Sequence, residues 1–273
     1  MNMISLIFFI LTLATSGHAL DKATQHSNVK AIIFDCDGTL IDTEEVVYEA
    51  WRYAFQRQGY ELAKEEYQLL MNEHLLAGLP TAGAVFAELG AELIGYNCAG
   101  ELLSDMSVYC DISRAKGFPP IESTLNFLHQ LAKEKEVLGL KIGLASGSRK
   151  HQILCHLRHL EIEDYFDVIL SGYDDLDDYI DAEGTNKPKP YIYLHAAKML
   201  GLAPEQCIAI EDSQTGVASA VGAGCITVAV PNAFTVQHDL SRAALKMESF
   251  NGVSPIAFLQ MIVDLKSFEM MPL

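Results

Sequence analysis

The sequence predicts an α/β fold in which a doubly wound parallel sheet carries an inserted, all-helical block. Three observations lead to this prediction. A buried-strand pattern at 31–34 ends in two acids, Asp35 and Asp37. Residues 42–117 show apolar residues at helical spacing, whereas residues 118–250 alternate short apolar runs with amphipathic stretches. Strands that alternate with helices indicate parallel pairing, with helices covering both faces of the sheet.

Composition and charge narrow the classes of partner. The 273 residues are 50% hydrophobic and 20% charged, which is typical of a soluble globular protein with one large or two modest domains. The formal net charge of −17 leaves no basic face to neutralise a phosphate backbone, so we expect no nucleic-acid partner. An anionic substrate needs a local positive cluster or a cation to offset the overall field. We expect the protein to be a monomer.

Residues 1–20 differ from the rest of the chain and resemble a cleavable leader. Ile4–Ala14 is almost wholly apolar and is followed by small residues up to Ala19, as in a secretory signal peptide. The first basic residue is Lys22, so the usual positive start is missing, and a mis-assigned start codon is the alternative. The apolar run is too short for a stable membrane span, which takes about 20 residues. Export is narrowly favoured over a cytoplasmic location.

The six cysteines show no paired spacing of the kind found in zinc sites. Cys36 lies between two acids, where a disulfide would distort the loop. Cys207 and Cys225 fall in strand-like runs, where cysteine acts as a small buried hydrophobe. This usage is typical of reduced thiols and favours the cytoplasmic alternative.

The two acids after the first strand are the strongest chemical signal in the chain. Acids at the carboxyl end of a strand lie where open α/β sheets place their ligands. Two neighbouring carboxylates raise the pKa of one of them unless a cation shares the site. We therefore interpret the segment as a metal-assisted active site, with Asp35 as the nucleophile and Asp37 as the acid and base. A solvated turn after the strand is the alternative interpretation.

Glycine and proline residues divide the block from 42 to 117 into helices. In this prediction Gly90 follows the end of the third helix, and Gly117–Pro120 marks the return to the sheet. The predicted helices are Glu44–Gln58, Lys64–Leu75, Thr81–Leu89 and Glu101–Arg114.

Beyond residue 118, periodicity predicts helices and strands in alternation. Tyr173–Asn186 carries six acids without apolar periodicity and is predicted to be an exposed, solvated loop. Residues 251–273 are treated as a C-terminal extension. The predicted helices are Glu122–Glu134, Lys150–Leu160, Tyr191–Leu200 and Thr215–Gly222, and the predicted strands are Lys141–Ala145, Val168–Leu170, Cys207–Ile210 and Ile226–Val230.

Two further strand ends carry groups suited to a phosphate and to a cation. Ser146 and Gly147 open a helix, where a hydroxyl and free backbone amides form either a phosphate cradle or a structural helix cap. Glu211 and Asp212 end another strand, and adjacent carboxylates there suggest a hard cation such as Mg²⁺. Helix capping by Asp212 is the alternative.

The segment Asp35–Glu44, which reads DCDGTLIDTE, resembles the first motif of the haloacid dehalogenase superfamily of phosphohydrolases and phosphomutases. The acid that ends the motif is typical of its β-phosphoglucomutase-like branch. Later motifs match at Ser146, at Lys187–Pro190 and at Glu211–Asp212. The resemblance covers about residues 30–250.

The resemblance implies a domain organisation. Residues 29–41 and 118–250 would form a Rossmann-like phosphatase core, with residues 42–117 inserted as a helical cap domain that closes over the substrate. Residues 251–273 lie outside the resemblance as an extension.

The resemblance also implies a role for each site residue. Asp35 is the nucleophile and Asp37 the acid and base, while Ser146, Gly147 and Lys187 bind the phosphoryl group. The implied cofactor is Mg²⁺, and its implied ligands are Asp35, the backbone carbonyl of Asp37 and Asp212. Glu211 would either be a further ligand or lie directly behind the ligands.

One position departs from the family pattern. Tyr191 stands where the family commonly has an acid that orients the lysine, which puts the geometry around Lys187 in question. The prolines at 188 and 190 fix the turn, so the lysine between Asn186 and the first proline is held in one place. Lys189 is predicted to be a surface charge.

The expected function is that of a Mg²⁺-dependent phosphohydrolase acting on a small phosphorylated metabolite, a sugar phosphate, through an aspartyl-phosphate intermediate. The tail Val228–Ser249 resembles that of sugar-phosphate phosphatases, which favours hydrolysis over a β-phosphoglucomutase-like phosphosugar mutase. A non-catalytic binding protein on the same core is a further alternative, although none of the catalytic positions is lost. A mutase would need cap ligands for a second phosphate, for which the candidates are Arg52, Arg57, His74 and Arg114.

Overall fold

The computed structural model describes residues 28–73, 82–95 and 97–269. The expected leader at residues 1–20 lies outside these ranges, as does the candidate cap ligand His74. In the part of the chain that is described, no helix is long and apolar enough to span a membrane.

The centre of the fold is a parallel sheet, which confirms the predicted α/β class. Its strands are β1 (Ala31–Phe34), β2 (Lys141–Ser146), β3 (Val168–Ser171), β4 (Cys207–Glu211), β5 (Ile226–Ala229) and β6 (Leu245–Lys246). They lie in the order β3-β2-β1-β4-β5-β6, and every pairing is parallel. The chain reverses its direction of travel across the sheet beside β1. The carboxyl ends of β1 and β4 therefore border the crevice in which such sheets bind ligands.

Helices cover both faces of the sheet and form a block beside it. In chain order they are α1 (Thr43–Arg57), α2 (Lys64–Glu73), α3 (Ala82–Ile94), α4 (Ala99–Lys116), α5 (Glu122–Leu138), α6 (Lys150–His159), α7 (Tyr191–Leu200), α8 (Gln214–Ala223) and α9 (Pro255–Glu269). Helices α5, α6 and α9 pack on one face of the sheet, and α7 and α8 pack on the other.

Strand β1 is apolar at every position because both of its faces are covered. Ile32 and Phe34 join the hydrophobic cluster beneath α5, α6 and α9, whereas Ala31 and Ile33 join the cluster beneath α7 and α8. This alternation follows from the two-residue period of a strand. The first polar side chain after the strand is Asp35, which consequently lies at the carboxyl end of the central strands of the sheet.

The C-terminal residues form a helix that the sequence analysis did not assign. Phe258, Leu259 and Ile262 of α9 are buried in the same cluster as Phe34 of β1. The ring of Phe258 meets that of Phe127 on α5 edge to face, with centroids 5.2 Å apart. Apolar residues occur around much of α9, so its helical periodicity is weak in the sequence.

Helices α1 to α4 form an all-helical block with a hydrophobic cluster of its own. The third helix is longer than predicted, since it runs through Gly90 to Ile94. Gly90 serves packing rather than helix termination, because a Cβ at this position would lie 2.4 Å from Phe55 Cζ. The domain limits at 42 and 117 stay a prediction.

The loop at 173–186 is less exposed than predicted. Asp175 accepts hydrogen bonds from the backbone N–H of Ser171 and from Lys150 Nζ, both at 2.7 Å. Leu176 is buried. These contacts fix part of the loop against β3 and α6, so its acids are not simply a solvated face.

Candidate active site

Three carboxylates meet where β1 and β4 end. Asp35 follows β1, Glu211 ends β4 and Asp212 comes next in the chain. Each is buried, and each has a carboxylate oxygen within 4.8 Å of the others. Because adjacent parallel strands end at the same edge of the sheet, residues far apart in the chain form a compact acidic cluster.

Lys187 is the positive partner of this cluster. Its Nζ donates to Asp35 Oδ1 at 2.5 Å, to Glu211 Oε1 at 2.7 Å and to the carbonyl oxygen of Ala145 at 2.9 Å. The Tyr193 hydroxyl donates to the same Glu211 oxygen at 2.6 Å, and its ring centroid lies 5.2 Å from the lysine Nζ. The lysine is thus oriented by Glu211 and a carbonyl group.

Lys187 is held in place although position 191 carries a tyrosine and not the acid common in the family. Tyr191 points elsewhere and donates from its hydroxyl to Asp181 at 2.9 Å. Lys189 forms salt bridges with Asp181 at 3.4 Å and with Glu183 at 2.6 Å, away from the acidic cluster. Of the two lysines in this segment, Lys187 alone faces the strand ends.

Burial and mutual repulsion shape the electrostatics of the cluster. Burial raises the pKa of Asp35 to about 8, against the opposing effect of Lys187. Burial also raises the pKa of Asp212 well above its ordinary value, and the charges of Asp35 and Glu211 add to this effect. Burial lowers the pKa of Lys187, but its two carboxylate partners outweigh burial and the net shift is upward. One lysine therefore does not offset three carboxylates.

The cluster has the donor set that a hard cation requires. Glu211 Oε2 is buried and has no hydrogen-bond partner, so one oxygen remains available in an otherwise bonded carboxylate. A Cβ at Gly38 would lie 2.4 Å from Asp212 Oδ2, and the backbone there has a positive φ of 79° that favours glycine. The all-oxygen donor set at this closely packed site fits Mg²⁺.

Asp37 lies beside the cluster and is held by two hydroxyl groups. Its Oδ2 accepts from Ser146 Oγ and from Ser148 Oγ, both at 2.8 Å. The backbone N–H of Ser148 donates to Ser146 Oγ at 3.0 Å. Ser146 is therefore already engaged with Asp37, and its predicted phosphate contact stays a prediction. The Gly147 carbonyl accepts from Asn186 Nδ2 at 3.2 Å, which holds that turn at the rim of the site.

A cleft of about 420 Å³ opens from these residues toward the helical block. Asp35, Asp37, Gly147 and Lys187 line its floor, and α1, α2 and α4 supply the opposite wall. The site is thus enclosed between the sheet edge and the block. Such a cleft can hold a small molecule and shield its reacting end from water.

One cap candidate for a second phosphate lines this cleft within the described residues. Arg114 borders it, and its Nε is buried without a hydrogen-bond partner. The Nη1 of Arg114 pairs with Asp111 at 2.8 Å. Arg52 is paired with Glu49 and Arg57 with Asp105, and neither arginine lines the cleft.

Glu44 also lines the cleft, from the first turn of α1. Burial raises its pKa to about 7, and the charges of Asp37 and Asp42 contribute to the shift. In the sequence this acid stands out only as the last residue of the family motif. Its position beside the acidic cluster follows from the way α1 begins directly after the β1 loop.

Comparison with known proteins decides the family. A sequence model of the haloacid dehalogenase-like hydrolases matches residues 29–224. The chain belongs to this family. The family match spans both the strand-end acids and the inserted helical block.

The proteins similar to this chain include one named as a mutase and one named as a phosphatase. β-Phosphoglucomutase of Bacillus subtilis is 32% identical over 205 residues, which cover 74% of this chain and 83% of that protein. The phosphorylated carbohydrates phosphatase of Thermotoga maritima is 28% identical over 221 residues, covering 81% and 91%. A crystal structure of a CbbY variant from Rhodobacter sphaeroides with xylulose-(1,5)bisphosphate has a TM-score of 0.58 at 22% identity, covering 82% of this chain and 96% of that one. This last likeness shows the fold alone.

Three residues around the site of this haloacid dehalogenase-like hydrolase were missed by the sequence analysis. Ser148 could have been found, because it stands two residues after Ser146 in the same turn. Tyr193 gave no signal, since it occupies an ordinary buried helix position. Asn232 lies in the tail that resembles those of sugar-phosphate phosphatases, but that resemblance did not assign it to the site. The Asn232 side chain donates to Asp212 Oδ2 at 2.9 Å.

Proposed function

We propose that this hydrolase is a Mg²⁺-dependent phosphatase that acts on a sugar phosphate through an aspartyl-phosphate intermediate. The observation that carries the proposal is the contact between Lys187 Nζ and Asp35 Oδ1 at the floor of the cleft. A carboxylate held beside a buried ammonium can attack phosphorus while the ammonium offsets the charge of the phosphoryl group. A relative named as a phosphorylated carbohydrates phosphatase supports the substrate class.

The chain's own residues account for each step of the transfer. Asp35 attacks phosphorus in line, so the bond from its carboxylate to phosphorus forms while the bond to the leaving oxygen breaks. Asp37, fixed by the hydroxyls of Ser146 and Ser148, gives its proton to the leaving alkoxide. It then removes a proton from the water that hydrolyses the intermediate. Free phosphate leaves and Asp35 is restored.

The residues that would hold the cation are the side chains of Asp35, Glu211 and Asp212, with the backbone carbonyl of Asp37 added by family resemblance. When bound, Mg²⁺ supplies positive charge beside the transferring phosphoryl group. Lys187 supplies the same kind of charge from the protein side, and it also bridges Asp35 to Glu211.

A phosphosugar mutase is the second candidate function. The observation that favours it is Arg114, which lines the cleft and has a buried Nε without a hydrogen-bond partner, while its Nη1 pairs with Asp111. That Nε can meet a second anionic group of the substrate. The relative named β-phosphoglucomutase shares the family core. In a mutase the phosphoryl group on Asp35 returns to a sugar instead of passing to water.

The test is a phosphate-release assay on a panel of sugar phosphates. We expect release that depends on Mg²⁺, stops with EDTA and is absent from the Asp35→Asn variant. Incubation with β-glucose 1-phosphate and a trace of glucose 1,6-bisphosphate separates the two functions. Glucose 6-phosphate formed much faster than free phosphate would establish the mutase, and the absence of both products across the panel would contradict the enzymatic proposal.

A further inference from the structure

The loop after β5 connects the acidic cluster to the helical block. Residues 231–235, called the tether below, run from the sheet edge toward α1 and α2. Near the start of the tether, Asn232 Nδ2 donates to Asp212 Oδ2 at 2.9 Å and to the carbonyl oxygen of Gly38 at 3.1 Å. A single amide group therefore contacts both a cluster carboxylate and the loop that follows Asp37.

The other end of the same amide shapes the tether. Asn232 Oδ1 accepts from the backbone N–H of Phe234 at 2.8 Å and from that of Thr235 at 3.1 Å. The Thr235 hydroxyl in turn accepts from the Asn232 backbone N–H at 3.0 Å. The orientation of the Asn232 side chain is thus tied to the position of Phe234, because the two are joined by a closed ring of hydrogen bonds.

Phe234 is packed into the core of the helical block. It is 8% exposed, and its ring centroid lies 6.2 Å from that of Tyr48 and 6.0 Å from that of Tyr67. Lys64 Nζ lies 4.4 Å from the same centroid. Gln68 Nε2 also donates to the carbonyl oxygen of residue 233 at 3.0 Å. A side chain from the sheet domain thus fills a position within a cluster that otherwise belongs to α1–α4.

We propose that the tether couples the position of the helical block against the sheet to the geometry of the cation site. Asn232 is the positioning residue for Asp212, since its donor group fixes one oxygen of that carboxylate. Phe234 is the anchor, since its burial in the block holds the tether where Asn232 can reach Asp212. Partners that orient a metal-binding carboxylate are worth roughly 10-fold to 100-fold in metal affinity. The inference rests on the proposed function, because it takes Asp212 as a ligand of the cation.

A matched pair of variants tests the coupling. Phe234→Leu and Phe86→Leu each remove one aromatic ring from the same cluster, but only Phe234 belongs to the tether. Binding of Mg²⁺ is measured by calorimetry on the metal-free protein without substrate. We expect Phe234→Leu to raise the Kd of Mg²⁺ about tenfold, while Phe86→Leu stays within about twofold of wild type although it also lowers stability.

A second readout uses Trp51, the single tryptophan of the chain, which is buried in the cluster that contains Phe234. We expect Mg²⁺ to change its emission in wild type and in Phe86→Leu, and to change it less in Phe234→Leu at equal site occupancy. Asn232→Ala should weaken Mg²⁺ binding as Phe234→Leu does. Equal Kd values for the Phe234 and Phe86 variants would overturn the coupling. Failure of the wild-type protein to bind Mg²⁺ would instead overturn the proposed cation site, and this inference with it.

Discussion

A Cβ atom at Gly216 would lie 1.9 Å from Glu211 Oε2, so the Glu211 carboxylate occupies the space that a side chain at position 216 would need. Gly216 lies in the first turn of α8, where its N–H donates to the capping hydroxyl of Ser213 at 3.2 Å. Its φ is not in the left-handed region. The glycine therefore makes room for a cluster carboxylate rather than supplying backbone freedom.

We expect Gly216→Ala to lower the free energy of unfolding by about 1–3 kcal/mol, because the new methyl group overpacks the site. It should also reduce phosphatase activity by displacing Glu211 from Lys187. Gly222→Ala in the same helix is the control, since its nearest neighbouring atom is Pro190 Cβ at 3.6 Å. That change should be neutral or stabilise by about 0.5–1 kcal/mol. Denaturant unfolding checks both, and equal stability of the two variants would contradict the packing argument.

Substitutions of the two acids of the first motif should impair different steps of the reaction. Asp35→Asn removes the nucleophile, so turnover should fall by about 10⁴-fold or more while the fold is kept. Asp37→Asn leaves the nucleophile in place but removes proton transfer, which is worth about 10²–10⁴-fold. Single-turnover assays with trapping of phosphorylated protein separate the two steps. Appreciable steady-state turnover by Asp35→Asn would rule out the covalent mechanism.

Substitutions of Lys187 and Lys189 should have very different effects on catalytic activity. Lys187→Ala leaves buried Asp35 and Glu211 without their ammonium partner, so we expect kcat/KM to fall about 10²–10³-fold and phosphate to bind more weakly. Lys189→Ala breaks two salt bridges at the surface, where such pairs contribute about 0–1 kcal/mol, and activity should be unchanged. Steady-state kinetics on one sugar phosphate decides the matter, and similar losses in both variants would show that the wrong lysine was assigned.

The half-buried Glu44 should make stability depend on pH in the metal-free protein. Its pKa rises from 4.5 to about 7 on folding, so the folded state holds this proton more tightly than the unfolded state. Wild type should therefore lose stability relative to Glu44→Gln as the pH rises from about 4.5 to about 7. Urea unfolding in EDTA at several pH values measures this difference.

The control for the Glu44 prediction is Glu49→Gln, which removes a charge from the outer face of the same helix, where Glu49 pairs with Arg52. We expect this variant to follow the wild-type pH profile between about 4.5 and 7. A Glu44→Gln curve that runs parallel to wild type over that range would show that the carboxyl keeps its ordinary pKa.

Much of the fold and of the acidic cluster could be predicted from local patterns. The apolar run of β1 has to be buried on both sides, and acids directly after it have to lie at the sheet edge. The same argument places Glu211 and Asp212 at the end of β4. Parallel strands bring their carboxyl ends together, so these acids meet even though the sequence separates them widely. Local patterns therefore suffice to predict the class of fold and the acidic centre.

The groups that surround that centre depend instead on contacts between elements that lie far apart in the chain. Asn232 reaches Asp212 because the tether is held by packing of Phe234, and no periodicity in the sequence records that contact. Tyr193 lies on a buried helix face, where packing alone aims its hydroxyl at Glu211. The third helix continues through Gly90, where the absence of a side chain leaves room for the ring of Phe55. Such contacts depend on how whole elements pack against each other, and that packing is a sum of many weak long-range interactions that local patterns do not encode.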